Sequence, residues 1–170
     1  PNVLIFSIAK TPNRLDLFQW GGAIVPVESC FFALESRKDI EINTIEDALK
    51  YKVITQREGS TQHILKAFDF IEGKNLVSSV SATSSYLSLI TGRADLWGYP
   101  TQVVKNVMSQ ENNKKNAPLR KAFCFDVSYL YVAFSHGTPQ KTIDDFNQAL
   151  AKFRQTKKYQ MILKKYDLQI

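Results

Sequence analysis

The sequence contains very few of the residues that bind metals in clusters. Its 170 residues include two cysteines, Cys30 and Cys124, and two histidines, His63 and His136. The four lie far apart, without a CxxC motif or a Cys/His cluster, whereas a structural zinc site needs four ligands at close spacing. We therefore predict no metal site and no cofactor. For the cysteines two alternatives stay open: a pair of buried free thiols, or a disulfide in an exported protein.

Long apolar segments are also absent from the sequence. No segment is long enough to span a bilayer, and Pro1 begins the chain without the basic region and apolar run of a signal peptide. With 44% hydrophobic residues, the chain can still bury a sizeable core. We expect a soluble chain of one or two small domains, either cytosolic or already processed for export.

What the sequence does have is an excess of positive charge. The formal net charge is +6, and basic pairs gather late in the chain at Lys114-Lys115, Lys157-Lys158 and Lys164-Lys165. Nucleic-acid-binding proteins interleave such charges with aromatic residues on one surface or carry a recognisable module, and the sequence shows neither. We therefore predict no nucleic-acid partner and interpret these lysines as a solvated helical face. The excess charge favours anionic ligands weakly, because salt screens long-range attraction.

Apolar runs and turn residues alternate along the chain. The predicted strands are residues 3–8, 29–34, 53–55, 76–80, 94–98, 119–125 and 129–134. The predicted helices begin near Asn43, Thr61, Thr83, Pro100, Thr142 and Tyr159. Breaks are expected at Gly21-Gly22 and Pro26, and a polar loop at 110–116. The alternation from residue 44 to residue 108 predicts an α/β fold with a mostly parallel sheet, in which ligands bind at the carboxyl ends of the strands.

The turn after the predicted strand at residues 53–55 has the residues of an anion site. Gly59, Ser60 and Thr61 open a helix there, and the free N–H groups and positive dipole end of a helix attract anions. Arg57 adds a positive charge on one side of the turn. The alternative is that Ser60 or Thr61 only caps the helix. A second anion-seeking element, Thr11-Pro12-Asn13-Arg14, favours the anion site.

A catalytic interpretation has little support in the sequence. Asp95 and Asp126 end predicted strands and His136 follows one, which are positions where acids and bases often lie. No nucleophile elbow, phosphate-binding loop or metal motif accompanies them. We therefore expect a turn or helix-capping role for Asp95, and we predict that the chain has no catalytic residues and is not an enzyme.

Several motifs occur in a fixed order along nearly the whole chain. They are Thr-Pro-Asn-Arg14, an aromatic-Gly turn, an apolar strand, Thr44-Ile-Glu-Asp-Ala-Leu, Gly59-Ser-Thr-Gln, Leu89-Ile-Thr-Gly-Arg-Ala-Asp-Leu96, Leu130-Tyr-Val-Ala-Phe-Ser-His-Gly-Thr138 and Tyr159-Gln-Met-Ile-Leu-Lys-Lys-Tyr166. The ordered set is far more specific than any one motif. It resembles the bacterial extracellular solute-binding proteins of family three, the polar amino-acid receptors of ABC importers.

The resemblance implies a type II periplasmic-binding-protein fold, in which two α/β lobes joined by two crossover strands close on a ligand. The implied division is 1–28 as part of lobe 1 and the first crossover, 29–126 as lobe 2, and 127–170 as the second crossover and the return to lobe 1. The family has further elements ahead of the segment that corresponds to Val3–Arg14, so an incomplete first lobe is expected. Exposed apolar surface at Val3–Ile8 and Tyr129–Phe134 would then favour self-association.

The resemblance also implies which residues contact the ligand. Arg14 matches the arginine that binds the ligand's α-carboxylate, with Thr11 in the same turn, and Thr61 matches the threonine of a Gly-Thr-Thr loop on the opposite lobe. The other residues expected to meet the ligand are Arg57, Ser60, Trp97 and Tyr99. By the same resemblance, Cys30 and Cys124 lie on neighbouring strands of lobe 2, which would allow a disulfide between them.

Two positions depart from the family pattern. Ala9 replaces a small polar residue, and Pro100 replaces the aspartate that pairs with the ligand's ammonium group. The expected ligand is therefore a small carboxylate-bearing, amino-acid-like solute that does not demand a free α-ammonium. The alternative is a site in which another residue or a water takes over the role of the aspartate.

The resemblance implies the extracytoplasmic, periplasmic substrate-binding component of an ABC importer, with a membrane permease as its partner. One alternative is a ligand-binding sensor domain of a membrane signalling protein. A weaker alternative is a dehydratase-like enzyme on the same fold.

Overall fold

The computed structural model describes residues 2–110 and 117–168, so the polar loop predicted at 110–116 falls almost wholly outside the described residues. The chain divides into two compact units. Unit 1 comprises Pro1–Val27 and Val127–Ile170, and unit 2 comprises Glu28–Asp126. Each unit has its own core, and each is described by itself below.

Two strands of 16 residues each run from one unit into the other: β2 at Gln19–Leu34 and β6 at Leu119–Phe134. The predicted breaks at Gly21-Gly22 and Pro26, and the predicted gap after residue 125, are therefore wrong. An extended backbone accepts glycine, and at Gly21 the strand needs it, because a Cβ atom there would lie 2.9 Å from the Phe134 ring. Proline's fixed φ angle is likewise compatible with an extended strand.

The sheet of unit 2 is mixed, and three strands at one side of it are parallel, as the alternating pattern predicts. Strands β3 (Val53–Gln56), β4 (Leu76–Ser79) and β5 (Leu96–Pro100) are short. Strands β3 and β5 are largely buried, and β4 is buried at Leu76 and half-buried beyond it. Strand β3 pairs in parallel with β4 on one side and β5 on the other. Strand β5 pairs antiparallel with the second half of β2, where Ser29 lies opposite Pro100.

Helices cover both faces of this sheet. They are α1 (Ser60–Ala67), α2 (Ala82–Ile90) and α3 (Thr101–Ser109), each following a parallel strand. Leu65 of α1 packs with Phe31 and Val53 on one face, while α2 and α3 pack with Ile54 and Trp97 on the other. The amino ends of all three helices therefore follow the carboxyl ends of β3, β4 and β5.

Local backbone geometry changes two predicted helices of unit 2. The helix predicted to begin near Thr61 is short and ends at Ala67, because Asp69 has a positive φ angle of 62° and the N–H of Phe70 turns back to the carbonyl of Leu65. The helix expected to start near Asn43 is only a 3₁₀ turn at Glu46–Lys50.

A disulfide bond joins Cys30 of β2 to Cys124 of β6 within unit 2. The structure thus selects one of the two alternatives that the sequence leaves open. Cys30 is completely buried, among residues of the core that α2 and α3 cover.

Unit 1 combines β1 (Leu4–Ala9) with α4 (Gln140–Arg154) and α5 (Lys157–Lys165). Strand β1 pairs antiparallel with the end of β6, so that Leu4 lies opposite Phe134 and Ala9 opposite Leu130. Among the described residues, no helix is both long and apolar enough to cross a membrane.

The first strand of unit 1 exposes apolar side chains, as the sequence leads us to expect. Val3, Leu4, Ile5 and Phe6 are between 46% and 69% exposed. The same expectation for Tyr129–Phe134 is wrong in its second half: Tyr129 is exposed, but Val132 to Phe134 are buried. Val132 and Phe134 form the core of unit 1 with Ile143 of α4.

Candidate functional site

The strand-to-helix turn of unit 2 is closed by backbone hydrogen bonds. The N–H of Gly59 donates to the carbonyl of Gln56 at 3.2 Å, and the N–H of Arg57 donates to the carbonyl of Ser79 at the end of β4 at 2.9 Å. A Cβ atom on Gly59 would lie 3.1 Å from the Gln56 carbonyl oxygen. The close approach of the backbone explains why glycine precedes the helix.

The first turn of α1 has no side-chain cap. Gly59 occupies the N-cap position, and no side chain accepts a hydrogen bond there. The alternative that Ser60 or Thr61 serves only as a cap is therefore wrong. The N–H groups of a first helical turn have no partner inside the helix, so this uncapped turn can bind an anion. Arg57 beside it is exposed, Ser60 is half-buried, and Thr61 is buried.

Gln62 holds this turn in place, a role that the sequence did not indicate. Its Oε1 atom accepts a hydrogen bond of 2.8 Å from the N–H of Glu58. Its Nε2 atom donates to Glu72 Oε2 at 2.9 Å and to the hydroxyl of Ser78. Gln62 is only 2% exposed, so its amide fixes the turn from inside the unit.

A second polar group lies at the ends of the parallel strands around Tyr99. The Tyr99 hydroxyl donates to Gln56 Oε1 at 3.3 Å, and it lies beside Ser79 and Ser85. Burial raises the pKa of the Tyr99 phenol, and hydrogen bonds from the two serines act against this shift. The Ser79 hydroxyl also donates to the carbonyl of Ser81, the N-cap of α2. In the sequence, these serines belong to a hydroxyl-rich run that extends from the end of β4 into α2, and this run could have indicated a polar group here.

Trp97 does not belong to an accessible site. It is completely buried, and its ring packs against Tyr86 at 5.9 Å and Tyr99 at 5.1 Å between ring centroids. A direct ligand contact by Trp97, which the sequence leads us to expect, does not fit this burial. The alternation of the strand places Trp97 on the face that α2 covers, and its size makes it a core residue there.

The carboxylate of Glu28, which no sequence pattern indicated, lies near the start of α3. Glu28 accepts a hydrogen bond of 3.0 Å from the Thr101 hydroxyl and forms an ion pair with Lys121. The hydrogen bond from Lys121 holds the pKa of the Glu28 carboxyl below its ordinary value, against the opposing effect of burial. Ser29 pairs with Pro100, and successive residues point to opposite faces of a sheet. Glu28 and Pro100 therefore lie on opposite faces, so Glu28 does not replace the missing aspartate.

The described residues offer one cluster of potential metal ligands: Glu28, Cys30 and Cys124. The disulfide removes the two thiolates that a metal ion would need, since the thiolate is the ligand form of cysteine.

The unit 1 part of the predicted site is a short turn. Thr11 precedes a 3₁₀ helix at Pro12–Leu17, and the N–H of Arg14 donates to the Thr11 carbonyl at 2.9 Å. The Arg14 Nη1 atom makes a 3.5 Å hydrogen bond to the carbonyl of Ala9, which leaves most of this half-buried guanidinium free to bind. Thr11 is buried, and its hydroxyl donates to Asn13 Oδ1 at 2.7 Å.

An aromatic cluster follows this turn in unit 1. Trp20 makes edge contacts with Phe18 and Tyr131, with centroids 5.6 and 6.1 Å away. The Lys10 ammonium lies over both the Trp20 and Tyr131 rings. The sequence indicated only an aromatic-Gly turn here, because Tyr131 joins the cluster from a distant strand.

Two of the three candidate acids and bases, Asp95 and His136, have structural partners, whereas Asp126 Oδ2 is buried without a hydrogen-bond partner among the described residues. Asp95 accepts a hydrogen bond of 3.0 Å from Arg37 Nη1 and another of 3.0 Å from the N–H of Lys52. His136 Nε2 lies 3.0 Å from the carbonyl oxygen of Asp16. The contacts of Asp95 tie the loop before β5 to the start of β3, in keeping with the turn role expected for it.

Comparison with protein-family models gives no match, and comparison with curated protein sequences gives none either. Solved structures do match. The sensor domain of a histidine kinase with similarity to periplasmic binding proteins has a TM-score of 0.79 and 20% identity, over 96% of this chain and 68% of that one. A mutant of ArgBP from T. maritima has a TM-score of 0.75 and 16% identity, over 96% and 67%. The GluR0 ligand-binding core from Nostoc punctiforme, in complex with L-glutamate, has a TM-score of 0.71 and 17% identity, over 95% and 71%.

These neighbours extend over nearly all of the chain, while the chain spans about two thirds of their length. At identities of 20% or less, the likeness concerns the fold. The chain therefore has the α/β fold of periplasmic-binding-protein-like structures, as the sequence predicts.

Proposed function

We propose that the chain binds a small carboxylate-bearing, amino-acid-like solute and performs no chemistry on it. The observation that carries the proposal is the uncapped first turn of α1, which Gln62 holds rigid and beside which Arg57 is exposed. Backbone N–H groups at such a turn suit a carboxylate, because they combine hydrogen bonds with the positive end of the helix dipole.

Arg14 of unit 1 is the second residue that we propose for carboxylate binding. A guanidinium can bind a carboxylate through two parallel hydrogen bonds. The Arg14 guanidinium makes one long hydrogen bond, to the backbone carbonyl of Ala9. Thr11 supports Arg14 from the same turn, and Ser60 and Thr61 add hydroxyl groups to the unit 2 contacts. Tyr99 is 2% exposed, and its hydroxyl is hydrogen-bonded to Gln56, so it supports the strand ends from inside the unit. Pro100 offers no negative charge, so the preferred ligand does not need a partner for a free ammonium group.

The biological setting that we propose is an extracytoplasmic receptor that delivers its solute to an ABC permease. Two solved neighbours, ArgBP and the GluR0 ligand-binding core, have names that fit amino-acid binding. The alternative is a sensor domain of a signalling protein. One of the solved neighbours, the sensor domain of a histidine kinase, favours this alternative. The complete gene product separates the two settings, because a sensor is joined covalently to a membrane helix and a signalling domain.

The proposal is tested by a thermal-shift screen with amino acids, simple carboxylates and the corresponding amides. A ligand that binds only the folded state raises the melting temperature. We expect carboxylates to raise it and the matched uncharged amides not to. Calorimetry with the strongest carboxylate then measures the affinity of the parent chain and of Arg57→Ala, with Arg93→Ala as a control that removes another exposed arginine of unit 2. Equal stabilisation by amides and carboxylates would contradict the proposal.

A further inference from the structure

Positive charge is concentrated in unit 1. This unit carries nine of the 22 basic residues of the chain but only four of its 16 acidic residues, although it is the smaller of the two units. Most of the excess comes from residues 146–166, which contain six lysines and arginines and no aspartate or glutamate. The end of α4 and the whole of α5 therefore create a strongly positive local field.

The lysines of α5 share one face of the helix. At about 100° per residue, Lys157, Lys158, Lys164 and Lys165 fall within an arc of about 120°. The burial pattern agrees: all four are exposed, while Tyr159 and Leu163, which point the opposite way, are 6% and 9% exposed and hold the helix against unit 1. The Tyr159 hydroxyl anchors this inner side with a 2.6 Å hydrogen bond to the Ile24 carbonyl.

An apolar side chain lies at the centre of the basic face. Met161 falls in the middle of the lysine arc and is 71% exposed. Tyr166, just beyond the helix, is 58% exposed, and the Lys165 ammonium lies 5.1 Å from the centre of its ring. A methionine and a tyrosine among flexible lysines can enter an acyl boundary while the ammonium groups stay at headgroup level.

The four lysines have no acidic partner among the described residues, and this sets α5 apart from its neighbour. In α4, Lys141 pairs with Asp145 at 2.7 Å. No such ion pair involves Lys157, Lys158, Lys164 or Lys165 within residues 2–110 and 117–168. Their charge is thus available to an external polyanion.

We propose that this outer face of α5 docks the chain on an anionic phospholipid bilayer. Each lysine close to an anionic membrane surface strengthens binding by about fivefold, so four together contribute roughly several hundred-fold. A soluble acidic protein would match the charge, but it would leave no reason for Met161 to stand exposed among the lysines. The proposal is independent of the solute site, because none of its residues belongs to that site.

Vesicle co-sedimentation tests the proposal on the full chain. We expect binding to phosphatidylcholine vesicles that contain phosphatidylglycerol, little binding to pure phosphatidylcholine, and a steep loss as salt is raised. The variant K157Q/K158Q/K164Q/K165Q should lose at least a hundredfold in affinity, an estimate of about fivefold per lysine. The matched control, K50Q/K52Q/K66Q/K74Q, removes the same charge from exposed positions of unit 2 and should retain most of the binding.

A second variant, Met161→Ser, separates a bilayer from other polyanions. It keeps all charges and replaces a side chain outside the core, so it should fold as the parent does, and we expect it to weaken vesicle binding severalfold. Binding to polyglutamate serves as the comparison and should not change. The proposal is overturned if the parent ignores anionic vesicles at low salt, if both lysine variants lose binding equally, or if Met161→Ser binds vesicles unchanged. Binding to polyglutamate through α5 without vesicle binding would assign the face to an acidic protein instead.

Discussion

The backbone N–H of Glu58 donates a 2.8 Å hydrogen bond to the side-chain Oε1 of Gln62. Glu58 has a positive φ angle of 56°, a backbone conformation that is uncommon for a residue with a side chain. The bond that Gln62 accepts therefore holds a strained position at the point where β3 turns into α1. This turn is the part of unit 2 on which the proposed carboxylate site depends.

Replacing Gln62 by alanine should loosen the turn. The change removes the acceptor of the Glu58 N–H and both bonds of the Gln62 amide nitrogen, while Ser78 and Glu72 keep their mutual hydrogen bond. A lost intramolecular hydrogen bond typically costs about 0.5–1.5 kcal/mol. We expect a lower free energy of unfolding in urea and weaker binding of the carboxylate found in the screen. Gln155→Ala, an exposed position at the end of α4, is the control. Equal stability of the two variants would show that the Gln62 bonds do not hold the turn.

The parallel part of the fold could be predicted because its signals are local. Each short apolar run between residues 53 and 98 is followed by a turn residue and a helix, so strands and helices could be assigned from neighbours in the sequence. The crossover strands were harder to predict. At Gly21, Gly22 and Pro26 the sequence suggests breaks, but β2 continues because pairing and packing along its whole length stabilise an extended backbone.

The site could be predicted only in part, for a similar reason. Arg57, Ser60 and Thr61 lie together in the sequence, so their shared turn was visible. Trp97 was misplaced, because exposure depends on which face a helix covers and not on the residue type. The contacts of Glu28 link it to Thr101 and Lys121, which are 73 and 93 positions away, and no local pattern predicts such pairs. The Gln62 amide bonds both to the nearby Glu58 and to Ser78 of β4, and only the fold brings these groups together.

Reducing the Cys30–Cys124 disulfide should destabilise the chain. The bond links positions 94 residues apart, and closing so long a loop restricts the unfolded chain. Loss of a native disulfide typically costs about 2–5 kcal/mol. Urea unfolding with and without a reductant measures the effect. The reductant should have no effect on the double variant Cys30→Ala/Cys124→Ala. Titration of two free thiols in the unfolded, unreduced parent chain would rule out the bond.

The ion pair of Glu28 should make stability depend on pH in a defined direction. Because Lys121 lowers the pKa of Glu28 below 4.5 in the folded chain, the pair stabilises the fold above pH 4.5, and this contribution is lost as the pH falls through the lowered value. Glu28→Gln should therefore melt at a lower temperature than the parent at neutral pH, with a gap that narrows in acid. Glu41→Gln, at an exposed position, is the control. A constant gap down to low pH would contradict the prediction.

The exposed start of β1 should make the chain self-associate. Strand β1 has an apolar sequence, and Phe6 is 69% exposed on it. Exposed apolar strands tend to pair with other chains, and a charge on such a strand opposes the pairing. We expect Phe6→Lys to lower the average mass measured by analytical ultracentrifugation without lowering the melting temperature. Phe153→Lys, a less exposed aromatic of α4, is the comparison, and an unchanged mass for Phe6→Lys would show that β1 is not the contact.

Each of the two arginines proposed for carboxylate binding should contribute to the affinity. Loss of one partner from a buried, charge-assisted pair costs about 2–5 kcal/mol, which is about 30-fold to several thousand-fold in affinity. In calorimetry we expect Arg14→Ala to lose affinity within this range, because the Arg14 guanidinium is half-buried. We expect Arg57→Ala to lose less affinity, because the Arg57 side chain is exposed and solvent screens its pair with the carboxylate. Arg14→Lys should recover only part of the loss, since an ammonium cannot form the two parallel hydrogen bonds of a guanidinium. If Arg14→Ala binds the carboxylate as tightly as the parent does, the assignment of Arg14 to the site is wrong. Tight binding of a free amino acid that weakens sharply when its ammonium is removed would contradict the interpretation of Pro100.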